Sequence, residues 1–246
     1  MPVKKEWFAR WFDSPYYHIL YKNRDVKEAE FFLSNLVRHL KIDPSTHIID
    51  LACGRGRHAV YLNKLGYTVT GVDLSRQNIK AAEKFKNKNL HFRLADLRAL
   101  PFENEFDYGF NLFTSFGYFD GEEMNRQVLK QFNKILKPNG FLLIDFFNAE
   151  KINPKSAYSE EKTVDGIHFK ISKEICDNKI QKRIEFKTAD KTCYFKEQVQ
   201  LLSLADFEVL LEDSGFKITE LFGNYTLDPF STQRSERLII LSQKIS

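Results

Sequence analysis

Two acids and two glycines carry the chemistry that can be read first. Asp50 lies in an apolar run, Ile48-Ile49-Asp50-Leu51-Ala52, which leads into a loop holding Gly54 and Gly56; Asp73 ends the next apolar run. The glycines, lacking side chains, let backbone N–H groups approach a ligand where a helix begins. A carboxylate at the tip of the following strand can accept two hydrogen bonds from a ribose diol. Asp50 on the approach strand would repel a pyrophosphate and attract an ammonium group. The stretch from 48 to 74 therefore has the makings of a nucleotide-shaped pocket with a cation-binding end.

The elements that must position these groups alternate in type. Apolar periodicity predicts helix 57–65, strand 68–74, helix 75–87, strands 90–95 and 106–113, helix 121–136 and strand 140–147. Ser75 and Asp120 are N-cap types, and Gly66 and Asn139-Gly140 are stops. This alternation predicts a parallel sheet with right-handed crossovers. Gly54, Gly56 and Ala59 also fit the relaxed G-x-G-x-x-G/A pattern, so an NAD-binding oxidoreductase is a rival that Asp50 argues against. A plain strand-to-helix turn is the third reading of the glycines.

The run Asp50-Leu51-Ala52-Cys53-Gly54-Arg55-Gly56-Arg57-His58, followed by Thr70-Gly71-Val72-Asp73-Leu74-Ser75, resembles motifs I and II of class I S-adenosylmethionine (SAM) methyltransferases. Leu94-Ala95-Asp96-Leu97 resembles the family's acidic adenine-contact position. The segment 106–113 looks like its fourth strand, beside the methyl-transfer site, and 136–143 like its helix stop and fifth strand. The resemblance covers about residues 46 to 148 in order. It implies an α/β fold, a doubly wound, seven-stranded, mostly parallel Rossmann-like sheet, and SAM as cofactor. Carried over residue by residue, it places Asp50 on the methionine ammonium, Ala52, Gly54 and Gly56 beside the cofactor, and Asp73 on the ribose hydroxyls. Leu74 then packs on adenine, Asp96 and Leu97 face the adenine amino edge, and Asn111 and Phe113 border the methyl group.

Residues 7–21 hold Trp7, Phe8, Trp11, Phe12, Tyr16, Tyr17 and Tyr21, with Trp7/Trp11 and Phe8/Phe12 at i, i+4 spacing. Packing onto the domain is the plain reading. N-terminal helices of the resembled family cover the SAM pocket, which nominates Tyr17, Tyr21 and Arg24 as cofactor contacts and His18 as a general base. His58 reads as a core or surface histidine before it reads as a contact. After the fifth strand, alternation from Thr163 to Ser203, with turns at Asp177-Asn178-Lys179 and Ala189-Asp190-Lys191, predicts a three-stranded antiparallel meander. It is either a roof over the substrate side or a flap that pairs two copies in a homodimer. The expected organisation is a helical lid (1–45), the SAM-binding core (46–160), the β insertion (161–202), and a C-terminal helix and hairpin (203–246).

The 246 residues carry a net charge of +4, and 43% are hydrophobic, which indicates a folded globular chain. Dispersed lysines make nucleic acid an unlikely partner on these grounds. Three separated cysteines give neither a disulfide framework nor a zinc site, and Asp145 and Asn148 stand too far apart to suggest a metal. With no signal-like or membrane-length apolar run, a cytoplasmic location is expected. The leading functional reading is methyl transfer to nitrogen or oxygen of a small molecule; RNA or protein methylation, and SAM binding without catalysis, are the alternatives.

Overall fold

Aromatic and β-branched runs form strands, and the helices between them place one apolar stripe against those strands. In the computed structural model the described residues are 6–22, 26–153 and 158–245. They form two units: the described residues of 1–24 with 152–201, and those of 25–151 with 202–246.

In chain order the first elements are α1 (Trp7–Trp11), α2 (Pro15–Leu20) and α3 (Val26–His39). Then come β1 (His47–Leu51), α4 (Arg57–Lys64), β2 (Thr68–Asp73), α5 (Arg76–Ala82), β3 (Leu90–Leu94), β4 (Phe106–Asn111), α6 (Glu122–Ile135) and β5 (Leu136–Phe147). Four strands follow, β6 (Tyr158–Val164), β7 (Ile167–Cys176), β8 (Lys179–Lys187) and β9 (Thr192–Gln200), and the chain closes with α7 (Leu204–Glu212), β10 (Phe216–Phe222) and β11 (Arg237–Lys244).

The larger unit holds a seven-stranded sheet in the order β10-β11-β5-β4-β1-β2-β3. Strands β1 to β5 pair in parallel, while β11 runs antiparallel to both β5 and β10. The doubly wound parallel sheet read from the sequence is therefore present, with a reversed final strand. α3 buries Ala29, Phe32, Leu33 and Leu36, and α6 buries Asn125, Val128, Leu129 and Phe132, in each case the i, i+3, i+4, i+7 stripe of a helix lying on a core. α7 starts at a capping box, in which Ser203 and Asp206 satisfy each other's backbone N–H groups. The helix expected over 75–87 ends earlier, with α5 passing into a 3₁₀ turn at Glu83–Phe85. β5 starts at Leu136, directly after α6, and its register with β4 slips between Phe106 and Tyr108.

In the smaller unit β6-β7-β8-β9 form one antiparallel sheet. The meander thus has a fourth strand, β6, at its edge. Of that strand only Val164 is buried, so its sequence shows no apolar alternation. The Asp177-Asn178 turn has positive φ at both residues (51° and 56°), the geometry of a tight hairpin. Trp11 and Leu20 of the first two helices pack with Phe169, Ile171, Ile184 and Phe186 of this sheet in one core. The stretch read as a lid, 1–45, is accordingly divided: α1 and α2 belong to the unit of the β insertion, and α3 to the other. Among the described residues no helix is long and apolar enough to cross a membrane.

Candidate functional site

The carboxyl ends of β1, β2, β3 and β4 meet at one edge of the sheet, where open α/β folds bind ligands. β1 leaves the sheet through Ala52, whose φ is +64°, and turns at Gly54 (+57°) and Gly56 (+83°) into α4. A Cβ on Gly56 would lie 2.8 Å from the Phe92 ring, so only glycine fits there. A Cβ on Gly54 would meet nothing within 4 Å and would project into open space.

The two acids hold this loop from either side. Asp50 is buried, and its Oδ2 accepts the Ala59 N–H in the first turn of α4 at 3.1 Å. Asp73 accepts the Gly54 N–H at 2.9 Å through Oδ2, and the Ser75 N–H (2.8 Å) and Asn78 Nδ2 (3.2 Å) through Oδ1. Burial pushes the Asp50 carboxyl up to about 7; the Ala59 N–H and Arg57 oppose the shift, and the Asp73 charge adds to it.

Beyond β2 the Leu74 side chain is 39% exposed, an apolar surface beside the acid. Asp96 is held by Arg98 through Nε (2.9 and 3.1 Å) and Nη2 (2.6 Å) and by the Arg98 backbone N–H (2.9 Å). Burial opposes its ionisation, but these Arg98 hydrogen bonds and charge win and keep its carboxyl below the usual range. Leu97 is half-buried between the two. At the end of β4, Asn111 is fully buried; its Nδ2 donates to the Leu51 carbonyl (3.2 Å) and the Ser115 carbonyl (3.4 Å), and its Oδ1 has no partner among the described residues. Phe113 has left-handed backbone, φ +53°, and its ring stacks on His58 at 4.9 Å with the Arg57 guanidinium 4.7 Å away. His58, given little weight from sequence, is buried and joins the glycine-loop helix to the end of β4.

Thus Asp50, Ala52, Gly54, Gly56, Asp73, Leu74, Asp96, Leu97, Asn111 and Phe113 all lie at or just beyond strand ends of the larger unit. Tyr17, His18 and Tyr21 lie in the smaller unit. There the Tyr21 hydroxyl donates to Glu197 (2.8 Å), Lys182 Nζ donates to that hydroxyl (3.2 Å), and the Tyr17 ring packs edge-on against Trp11, Phe12 and Tyr21. Arg24 falls outside the described residues. Sequence reasoning gave no role to Arg98 and weighed a third acid, Asp145 in β5, only as a metal ligand. Only the proximity of Arg98 to Asp96 was visible in the chain.

Residues 48–140 match the family described as "Methyltransferase domain". The glycine/sarcosine N-methyltransferase of Aphanothece halophytica is 27% identical over 209 residues, which cover 82% of this chain and 76% of that one. Among solved structures, a SAM-dependent methyltransferase from Clostridium acetobutylicum ATCC 824 has the same fold, with a TM-score of 0.77 at 19% identity over 97% of this chain and 98% of its own. An amino pentose methyltransferase from Micromonospora echinaspora, solved with SAM bound, has a TM-score of 0.69 at 14% identity over 94% and 97%. The chain is a class I SAM-dependent methyltransferase, with SAM as its cofactor. That sets aside the NAD reading of the glycines. The site fits such a ligand: open space beside Gly54, an exposed apolar Leu74, and a buried acid, Asp50, at the start of the glycine loop.

Proposed function

We propose that the enzyme methylates a nitrogen of a small amine, with oxygen of a small hydroxyl compound as the second choice. The observation that carries this is the likeness, across most of the chain, to an enzyme whose named activity is N-methylation of glycine and sarcosine. An amino pentose methyltransferase sharing the fold supports it. SAM brings a methyl group on a sulfonium, already activated toward displacement, so the protein's task is positioning.

In this reading Asp73 takes the ribose hydroxyls. Leu74 lies against the adenine, and Asp96 with Leu97 faces its amino edge. Ala52, Gly54 and Gly56 bring the backbone alongside, Asp50 takes the ammonium of the methionine moiety, and Asn111 and Phe113 border the methyl. An amine that arrives protonated must lose a proton before attack, the role read for His18. A His18→Gln variant with an unchanged pH–rate profile would remove that assignment.

Incubation with SAM and a panel of glycine, sarcosine and amino sugars, following S-adenosylhomocysteine (SAH) release by mass spectrometry, tests the acceptor class. Turnover of at least one amine, and none of hydroxyl analogues lacking nitrogen, is expected; the reverse pattern contradicts the nitrogen assignment. The four-stranded unit has two candidate roles, acceptor selection and pairing of two copies. Sedimentation of the intact chain as a monomer would discard the second.

The Asp50 role makes a pH prediction. The folded carboxyl is raised from 3.8 to about 7, so the folded protein holds that proton more tightly than the unfolded chain, and this group's contribution to stability falls as pH rises from about 4 to 7. Binding an ammonium requires the ionised form and displaces the proton. SAH affinity should therefore rise with pH up to about 7, by at most about tenfold per unit, and then level off. Calorimetry in buffers of different ionisation enthalpy should record proton release below pH 7. Flat affinity between pH 5.5 and 7 would mean that Asp50 serves the loop alone.

A further inference from the structure

Asp145 of β5 is a fully buried acid whose side-chain bonds lead to the end of β4, to the connection between β10 and β11, and to the last strand. Its Oδ2 accepts the Phe113 N–H at 2.8 Å and the Tyr225 hydroxyl at 3.2 Å. Its Oδ1 accepts Arg237 Nε at 2.8 Å and Nη2 at 2.5 Å, and its backbone carbonyl accepts the Thr114 N–H at 2.9 Å. Arg237 Nη2 donates also to Thr114 Oγ1 (3.2 Å), and the Tyr118 hydroxyl to the Thr114 carbonyl (2.6 Å). Tyr225 is placed in turn by the Phe32 ring at 4.5 Å and by Asn35, whose Nδ2 donates to its carbonyl at 3.0 Å.

All these bonds converge on a strained piece of backbone. Phe113 and Thr114 are consecutive non-glycine residues with φ of +53° and +60°, and Thr114 is β-branched, a combination that persists only where its surroundings over-determine it. Here both N–H groups, one hydroxyl and one carbonyl are captured. Two other accounts fail. An anion trap needs an unmatched cation, and Asp145 neutralises Arg237. Stability is a weak reason to keep a buried ion pair, because apolar residues of similar volume usually do as well.

We propose that Asp145, Arg237 and Tyr225 are positioning residues that lock the Phe113–Thr114 turn left-handed, so that the end of β4 presents a fixed edge at the methyl-transfer point. The inference rests on the reading that Asn111 and Phe113 border the transferred methyl. Through the Phe113 ring, stacked on His58, the turn is also registered against the glycine-loop helix.

The test uses the full chain with Arg237→Gln, Tyr225→Phe and the double variant Arg237→Gln/Thr114→Gly. Arg237→Gln should speed amide hydrogen exchange in peptides covering 111–118 by about tenfold or more, with no change in peptides covering 48–60. SAH affinity by calorimetry should stay within about threefold, while kcat for the best amine of the panel falls about tenfold or more, the loss expected from a misplaced edge. Glycine at 114 adopts the left-handed turn without help, so the double variant should recover kcat at least about threefold. Exchange raised across the whole sheet, or kcat that glycine does not rescue, would overturn the proposal and leave an ordinary structural ion pair. If Arg237→Gln does not fold, Tyr225→Phe removes one hydroxyl alone and must still raise exchange at 111–118; no rise there overturns the proposal too. If the wild type turns over no panel amine, the acceptor reading fails by itself, and exchange and SAH affinity still decide the role of the network.

Discussion

Replacing Asp73 by alanine is expected to weaken SAH binding by about 10–10²-fold, since a hydrogen bond to a charged group contributes roughly 1.5–3 kcal/mol and the ribose diol loses its charged acceptor. The loop suffers as well. Gly54 N–H, Ser75 N–H and Asn78 Nδ2 all donate to this carboxylate, so its removal frees the turn beside which the cofactor lies. Asp73→Asn should fall between, because an amide oxygen can still accept from Gly54 but carries no charge. Calorimetry with SAH gives the answer directly, and unchanged affinity in the alanine variant would place the ribose elsewhere.

Gly56→Ala should be the most damaging small change to the fold. The left-handed backbone at φ +83° costs an L residue about 1–2 kcal/mol, and a Cβ 2.8 Å from the Phe92 ring adds an overpacking cost of about 1–3 kcal/mol. Together that is about 2–5 kcal/mol, a large part of the roughly 5–15 kcal/mol by which domains are stable. Urea unfolding should show a lower midpoint at unchanged slope. Gly54→Ala makes the contrast. Its Cβ meets no protein atom, so its stability loss should be confined to the backbone strain of about 1–2 kcal/mol, while SAH affinity drops because the methyl occupies space that the ligand needs. Equal stability losses in the two variants would show that the close approach of Phe92 to Gly56 carries no weight.

The parallel core was legible because each of its elements announces itself locally. Apolar runs such as Ile48-Ile49 and Val69-Thr70-Gly71-Val72 are strands buried on both faces, Gly54 and Ser75 mark where they stop, and Gly66 marks the end of the helix between them. The acids at strand tips were legible for the same reason, since position along a strand fixes which edge of the sheet a residue reaches. What escaped has long-range or exposed causes. β6 is an edge strand with one buried residue, so it lacks the alternation by which strands are recognised. The Asp145–Arg237 pair joins residues 92 apart in sequence through the antiparallel register of β5 and β11, which no local pattern encodes. Trp11 and Tyr16 of α1 and α2 pack against Phe195 and Phe186, which come from strands more than 160 residues later, so the chain gave no local sign of these partners. Left-handed φ at Phe113 and Thr114 was invisible for a simpler reason: neither residue type favours it, and only the network imposes it.

The central claim is that the strand tips of the seven-stranded sheet form the SAM site, and a crystal structure of the protein grown with SAH tests it most directly. The account predicts the ribose diol within hydrogen-bonding distance of Asp73, the adenine against Leu74 and next to Asp96, and the amino group of the homocysteine end at Asp50. The sulfur should face the Asn111–Phe113 end of β4. SAH bound away from Asp50 and Asp73, or with its ribose turned from Asp73 toward solvent, would contradict it.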